Sequence, residues 1–93
     1  MQRGGAIYIL TNVNRSVLYV GVTSDLLFRL IEHRGKKYPK SFTAKCNAII
    51  CVYYETFHDI IEAINREKEI KKWRREKKDS LINSINPSWD DLW

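Results

Sequence analysis

The sequence is poor in residues that support special architectures. Of its 93 residues, only two are cysteine, four are glycine and two are proline. Cys46 and Cys51 lie five residues apart, with no second pair of metal ligands near them in sequence, so a zinc site is not indicated. Both are expected to pack as small hydrophobic residues in or beside a strand. The low glycine and proline contents argue against fibrous or low-complexity structure.

Long apolar segments are also missing. No uncharged run approaches the roughly 20 residues that a membrane-spanning helix needs. The first residues show no apolar run followed by a small-residue cleavage pattern, as a secretory signal would. The sequence therefore predicts one globular domain over residues 1–93, located in the cytoplasm and without a membrane partner.

Charge, by contrast, is plentiful and unevenly distributed. The net charge is +5, and residues 34–45 contain five basic side chains and no acidic one. Residues 66–78 are also strongly basic, and an acidic segment separates the two. If the fold brings these basic segments together, they form a positive face that attracts a polyanion such as nucleic acid. The alternative is that residues 66–78 form only a solvent-exposed helix face.

The first half of the chain has the pattern of a hairpin followed by a helix. Short β-prone runs at residues 6–10 and 17–20 flank a stretch of turn-forming residues. A helix is expected to follow, with Thr23 or Ser24 as its N-cap and Asp25 in its first turn, and to continue to about residue 33. Residues 34–45 are expected to form a basic loop.

Alignment of the two hairpin strands brings two tyrosines onto one face. With a symmetric loop, Leu10 faces Val17, and Tyr8 then lies directly opposite Tyr19. The two phenol groups are therefore expected to share one side of the sheet.

The second half predicts one strand and two helices. The apolar run at 48–55 predicts a third strand in the middle of the sheet, with the hairpin strands as its neighbours. A long helix is expected over about 59–75, and a shorter one, capped by Asp79 or Ser80, ends near residue 85. The fold class is therefore α+β, with a small antiparallel or mixed three-stranded sheet flanked by helices.

One glutamate interrupts the apolar face of the long helix. At about 100° per residue, Ile60, Ala63, Ile64 and Ile70 define the buried stripe, and Glu67 falls inside it. An unpaired buried carboxylate costs several kcal/mol, so Glu67 needs a partner, a cation or water. One interpretation is a cleft in which Glu67 works; the other is an i,i+4 ion pair with Lys71.

The first helix carries a second polar pair, Arg29 and His33, spaced i,i+4. This spacing allows a guanidinium and an imidazole to reach one oxyanion, although two surface side chains have the same spacing. Two tyrosines, an arginine, a histidine and a misplaced glutamate together suit phosphodiester hydrolysis. A single carboxylate indicates one metal ion.

These residues stand in motifs that resemble the GIY-YIG endonuclease family. The family's Gly-Ile-Tyr appears as Ala6-Ile7-Tyr8, and its Tyr-Ile-Gly appears as Tyr19-Val20-Gly21. The segments S-F-T-A-K-C, V-Y-Y-E, E-A-I-N-R-E-K-E-I-K-K-W and L-I-N-S-I-N-P-S-W are similar to the small single-domain branch of the family. The resemblance implies a β-β-α-β-α core with an extra C-terminal helix.

The resemblance also implies a magnesium- or manganese-dependent enzyme that cuts DNA by in-line attack with one metal ion. It implies that one of the two motif tyrosines, assisted by His33, activates or positions the water, and that Arg29 stabilises the pentavalent phosphate. Glu67 would be the single protein ligand of the metal, and Asn86 would support the site. The implied catalytic set is Tyr8, Tyr19, Arg29, His33, Glu67 and Asn86.

DNA is the predicted partner, and no small-molecule cofactor is expected. The predicted nucleic-acid contacts are the basic residues Lys36, Lys37, Lys40, Lys45, Lys71 and Arg74. Two alternatives stay open: a nucleic-acid-binding module with this fold but no turnover, and a protein-partner domain that uses Trp89, Leu92 and Trp93. The sequence does not indicate the DNA substrate or the oligomeric state.

Overall fold

An apolar strand of seven residues lies at the centre of the fold. The computed structural model describes residues 4–35 and 40–93 of the chain. Within them, the strands β1 (Gly5–Thr11), β2 (Leu18–Thr23) and β3 (Ile50–Phe57) form one antiparallel sheet in the order β2-β1-β3. The prediction that the third strand lies in the middle is wrong. Every residue of β1 is buried, whereas β3 exposes Tyr54 and Thr56.

Helices cover both faces of this sheet. They are α1 (Leu26–Arg34), α2 (Phe42–Lys45), α3 (Ile60–Lys71) and α4 (Arg75–Ile85). The predicted α+β fold, with its β-β-α-β-α core and extra C-terminal helix, is confirmed. The short helix α2 is an addition, because residues 34–45 were expected to form only a loop.

The alternation of side chains along β1 builds two separate cores. Tyr8 and Leu10 point to one face, where they pack with Leu30 of α1. Ile7 and Ile9 point to the opposite face and pack in a cluster that contains Ala63 and Ile70 of α3 and Ile82 of α4. Because successive side chains of a strand point to opposite faces, this central strand is apolar throughout.

The register of the hairpin differs from the symmetric alignment by two residues. Tyr8 pairs with Gly21, and Tyr19 pairs with Leu10. The predicted pairing of Tyr8 with Tyr19 is therefore wrong, but an offset of two keeps both tyrosines on one face. The loop that sets this register spans residues 12–17, since Thr11 pairs with Leu18, and it contains a turn in which the Arg15 amide donates to the Asn12 carbonyl at 3.0 Å.

Helix boundaries also differ from the prediction in two places. Asp25, rather than Thr23 or Ser24, caps α1 by accepting a hydrogen bond from the Phe28 amide. The long helix α3 ends at Lys71, and α4 begins at Arg75 rather than near Asp79. The Asp79 carboxylate instead accepts a hydrogen bond of 2.8 Å from the Arg75 side chain.

After α4 the chain returns to β3. The amide of Leu92 donates to the carbonyl oxygen of Cys51 at 2.8 Å, and the Cys51 amide donates to the Asp91 carboxylate at 3.3 Å. Cys51 is buried, and burial raises the pKa of its thiol to about 11. The expected packing role of Cys51 is thus confirmed, while Cys46 is half-buried beside α2.

None of the helices in residues 4–35 and 40–93 is long and apolar enough to cross a membrane.

Candidate active site

The ring of Tyr8 lies across the backbone of Gly21. A Cβ atom built on Gly21 would stand 2.3 Å from Cζ of Tyr8 and 2.4 Å from its hydroxyl oxygen. Ordinary carbon–carbon contacts lie near 3.5–4.0 Å, so only glycine leaves room for the ring. Glycine at position 21 therefore allows the Tyr8 ring to lie against β2, and the Tyr8 hydroxyl lies on the sheet face that α1 covers.

The Tyr8 hydroxyl meets the ring of His33 there. Its oxygen lies 3.0 Å from Nε2 of His33, and both residues are buried, with Tyr8 only 1% exposed. Burial raises the pKa of Tyr8 to about 12, so the phenol is neutral at physiological pH. Tyr19 completes the group, since its ring centre lies 6.3 Å from that of Tyr8 and 5.7 Å from that of His33.

Arg29 reaches the same hydroxyl from α1. Its guanidinium is hydrogen-bonded to Tyr8 and lies 3.5 Å from the Glu32 carboxylate. Burial opposes the charge of Arg29, but the hydrogen bonds to Tyr8 and Glu32 outweigh it and raise the arginine pKa. The side chain of Arg29 is 29% exposed, so this cation is anchored at one end and accessible at the other.

His33 has a second partner that the sequence did not reveal. Its Nδ1 lies 3.0 Å from the hydroxyl oxygen of Thr43, which lies 3.3 Å from that of Ser41. Thr43 is 3% exposed and belongs to α2. Burial and the nearby charge of Arg29 lower the pKa of His33, which favours the neutral imidazole. The only sequence signal for Thr43 is its place in the S-F-T-A-K-C segment.

Glu67 lies on α3, and its side chain is 14% exposed. Its Oε1 is 3.3 Å from Nζ of Lys71, so the ion pair expected from the i,i+4 spacing is present. Neighbours of Glu67 on α3, Ala63 and Ile70, pack on the sheet face opposite to Tyr8. Within the described residues, Tyr8, Tyr19, Arg29 and His33 contact one another, whereas Glu67 forms its ion pair with Lys71.

A divalent metal ion would find few protein ligands in this region. The described part of the chain contains no group of three or more His, Cys, Asp or Glu side chains that could hold a metal. Magnesium, however, keeps several waters and is commonly bound by one or two carboxylates together with substrate phosphates. The Glu67 carboxylate, which already faces the ammonium of Lys71, is chemically suited to such an ion.

Asn86 is buried at the end of α4, and its described hydrogen bonds go to the backbone. Its side-chain Nδ2 donates to the carbonyl oxygens of Val52 and Asp90, each at 2.9 Å. Its Oδ1 accepts from the Asp90 amide at 3.1 Å. These bonds fasten the chain end to β3, and they do not include the tyrosine, arginine or histidine side chains named above.

Four of the six predicted nucleic-acid contacts lie within the described residues. Lys40, Lys45, Lys71 and Arg74 are exposed. Arg74 precedes the first residue of α4, and Lys45 ends α2. Lys36 and Lys37 lie outside the described residues. Lys45 lies in α2 two residues after Thr43, the residue that contacts His33.

The chain is similar to a known family of domains and to several known proteins. A family model described as the GIY-YIG catalytic domain matches residues 4–80. A UPF0213 protein of Bacillus pumilus is 37% identical over 68 residues, covering 73% of this chain and 68% of the relative. A UPF0213 protein of Staphylococcus epidermidis is 36% identical over 76 residues, covering 82% and 90%. The solution NMR structure of a UPF0213 protein from Bacillus halodurans superposes with a TM-score of 0.60 at 26% identity, covering 95% of this chain and 92% of that one.

Proposed function

This chain belongs to the GIY-YIG catalytic-domain family, and from that premise we propose that it is a divalent-metal-dependent endonuclease that hydrolyses DNA phosphodiester bonds. The observation that carries the proposal is the hydrogen-bonded group of Arg29, Tyr8 and His33 beside the half-buried Tyr19. The family indicates nuclease activity.

Arg29 is the group proposed to bind the scissile phosphate. Negative charge accumulates on the phosphate oxygens in the transition state, and a fixed guanidinium stabilises that charge. The hydrogen bond to Tyr8 and the ion pair with Glu32 hold the Arg29 side chain, so little ordering remains to be done when substrate arrives.

The two tyrosines are proposed to have different tasks. Tyr8 is 1% exposed, so its hydroxyl acts on Arg29 and His33 rather than on substrate. Tyr19 is half-buried on the same face, and its hydroxyl is the one that we propose orients the attacking water. The difference in burial between Tyr8 and Tyr19 supports this division of tasks.

Glu67 is proposed to hold the metal ion, Mg2+ or Mn2+. When bound, such an ion would neutralise a phosphate oxygen and the leaving group. This role requires one phosphate to reach both Arg29 and Glu67, although Ala63 and Ile70, beside Glu67, pack on the sheet face opposite to Tyr8. Lys71 now occupies one side of the Glu67 carboxylate at 3.3 Å, and it is half exposed, so its flexible stem can turn away toward a DNA phosphate. Asn86 is proposed to support the site only indirectly, by fastening the chain end to β3.

DNA is proposed to approach along the exposed basic residues. Lys40 and Lys45 flank the segment that contacts His33, and Lys71 and Arg74 lie at the end of α3 and the start of α4. Phosphate neutralisation by such residues makes affinity fall as salt rises, by about 0.9 in the log–log slope for each contact.

A nucleic-acid-binding module without turnover is the second candidate. The observation that favours it is the ion pair between Glu67 and Lys71, because it gives the half-buried carboxylate a partner without a metal ion. In that case, removing the Glu67 charge would leave DNA affinity unchanged or improved.

The test compares the wild type with Glu67→Gln on supercoiled, linear and branched DNA, in Mg2+ and in Mn2+. Glu62→Gln serves as the matched control, because Glu62 is an exposed carboxylate on the same helix. Loss of a metal ligand removes several kcal/mol of transition-state stabilisation, so we expect Glu67→Gln to cut at least about 100-fold more slowly. The control should cut like the wild type.

Binding is measured in parallel by fluorescence anisotropy of a labelled duplex at increasing salt. If neither metal ion supports cleavage of any substrate while binding remains salt-sensitive, the binding module is the correct function. If neither cleavage nor DNA binding is seen, both candidates are wrong.

A further inference from the structure

We propose that Thr43 is a positioning residue of this site, which sets the tautomer of His33 and thereby the direction of a hydrogen-bond chain that ends at Arg29. The proposal deepens the proposed nuclease function, and it concerns how the phosphate-binding cation is held. The chain runs from Arg29 through Tyr8, His33 and Thr43 to Ser41.

The direction of the chain begins at the Tyr8 hydroxyl. Two of its hydrogen-bond partners are Arg29 and Nε2 of His33. A guanidinium has only hydrogen-bond donors, so Arg29 can donate only to the lone pairs of the Tyr8 oxygen. Of these two partners, Nε2 is therefore the one that can accept the Tyr8 proton, and it must be unprotonated to do so.

The neutral imidazole then carries its proton on Nδ1. Only one ring nitrogen is protonated in a neutral histidine. Nδ1 lies 3.0 Å from the Thr43 hydroxyl oxygen, which accepts this proton. The Thr43 hydroxyl can in turn donate to Ser41 at 3.3 Å, while Ser41 also accepts a hydrogen bond from the Ala44 amide.

All four bonds consequently point in one direction, from the accessible cation inward to α2. The opposite tautomer would make Nε2 a donor to Tyr8. Arg29 and His33 would then compete for the same phenol oxygen, and the Tyr8 proton would lose this acceptor in a buried setting. By accepting from Nδ1, Thr43 stabilises the Nδ1–H tautomer, which leaves the phenol oxygen available to Arg29.

Thr43→Val is the informative substitution, because valine keeps the branched shape and removes the hydroxyl. The backbone bond from the Ala48 amide to the Thr43 carbonyl does not involve the side chain. Thr43→Ser restores the hydroxyl. Thr56→Val is the matched control, since Thr56 is an exposed residue of β3.

The first measurement reads the tautomer directly and needs no activity. Two-bond 1H–15N correlation spectra of protein with 15N-labelled histidine, at pH 7.5, distinguish Nδ1–H from Nε2–H. The chain has two histidines, and His58 is exposed, so its signals serve as a reference in the same spectrum. Amide spectra of each variant check that the fold is retained.

We expect His33 to carry its proton on Nδ1 in the wild type, in Thr43→Ser and in Thr56→Val. In Thr43→Val we expect a shift toward Nε2–H. An Nε2–H tautomer in the wild type overturns the proposal even if Thr43→Val does not fold. An unchanged Nδ1–H tautomer in folded Thr43→Val overturns it as well.

The second measurement is DNA cleavage. We expect Thr43→Val to lower kcat by about 10- to 100-fold, as expected when a residue that orients a working side chain is removed. KM should change by less than about threefold, and Thr43→Ser should recover most of kcat. A cleaving Thr43→Val variant with unchanged kcat overturns the positioning role.

The two measurements separate the two proposals. Absence of cleavage by the wild type contradicts the nuclease function, whereas the histidine spectra alone decide whether Thr43 sets the His33 tautomer.

Discussion

The contact between Tyr8 and Gly21 makes Gly21→Ala the substitution with the most directly derived consequence. The new Cβ would stand 2.3 Å from Cζ of Tyr8 and 2.4 Å from its oxygen. To reach an ordinary contact of about 3.5 Å, the ring must retreat by about 1 Å. A movement of this size is expected to disrupt the hydrogen bond to His33, which is now 3.0 Å.

The expected loss of stability combines two effects. Overpacking a buried site costs about 1–3 kcal/mol. Leaving a buried hydrogen-bonding group without its partner costs about 1–3 kcal/mol more. The replacement of glycine by alanine offsets about 0.5–1 kcal/mol of this cost, because alanine lowers the conformational entropy of the unfolded chain. We therefore expect Gly21→Ala to lower the free energy of unfolding by about 1–5.5 kcal/mol.

Urea unfolding followed by tryptophan fluorescence measures this change. Gly35→Ala is the matched control, because Gly35 has φ of −75° and a Cβ there would come no closer than 3.3 Å to another residue. We expect the control to change stability by less than about 1 kcal/mol. Cleavage should be lost in Gly21→Ala under conditions where the variant remains folded, because the anchor of Arg29 is displaced.

A double-mutant cycle tests the stated cause. Leucine at position 8 has neither Cζ nor a hydroxyl, so in the Tyr8→Leu background Gly21→Ala should cost little. If Gly21→Ala costs the same in both backgrounds, the contact between these two residues is not the cause, and the reasoning fails.

Three further predictions concern other parts of the site. Burial and Arg29 lower the pKa of His33, so the folded state binds the His33 proton less well than the unfolded chain does. The free energy of unfolding should therefore be highest above about pH 6.5 and fall as the pH drops below that value. The fall should be less steep in His33→Gln, and equal slopes in the two proteins would contradict this prediction. Lys71→Met removes the cation beside Glu67, and we expect tighter Mn2+ binding by calorimetry; an unchanged affinity would show that the two cations do not compete. Asn86→Ala should cost about 2–4 kcal/mol of stability in urea and leave kcat per folded molecule unaltered, whereas a lower kcat at full stability would place Asn86 in the catalytic machinery.

Side-chain periodicity was sufficient to predict the fold class and the faces of its elements. The alternation in residues 6–10 places Tyr8 on one face, and the i,i+4 spacing places Arg29 beside His33. Both relations are local, and local geometry is what periodicity encodes. The register was not predictable from periodicity, because hairpin register also depends on the geometry and length of the loop, here residues 12–17. A register shift of two residues keeps each side chain on the same face of the sheet but changes the residue that lies opposite it.

Long-range contacts explain the other differences. The bond between His33 and Thr43 depends on how α2 docks against α1, and no periodic pattern in a four-residue helix reveals that. The position of β1 at the centre of the sheet depends on which apolar strand is covered on both faces. Glu67 was recognised as anomalous from its angle on the helix, and its partner Lys71 was among the alternatives that the spacing allowed.

The bonds between the chain end and Cys51 bear on self-association. β3 is an outer strand of the sheet, and the unsatisfied amides and carbonyls of outer strands invite another chain to add to the sheet, which is a route to aggregation. At Cys51 both backbone groups already bind residues 91 and 92 of the same molecule. These bonds thus block part of the exposed edge of β3. Removing the residues that form them should make the protein precipitate more readily at high concentration.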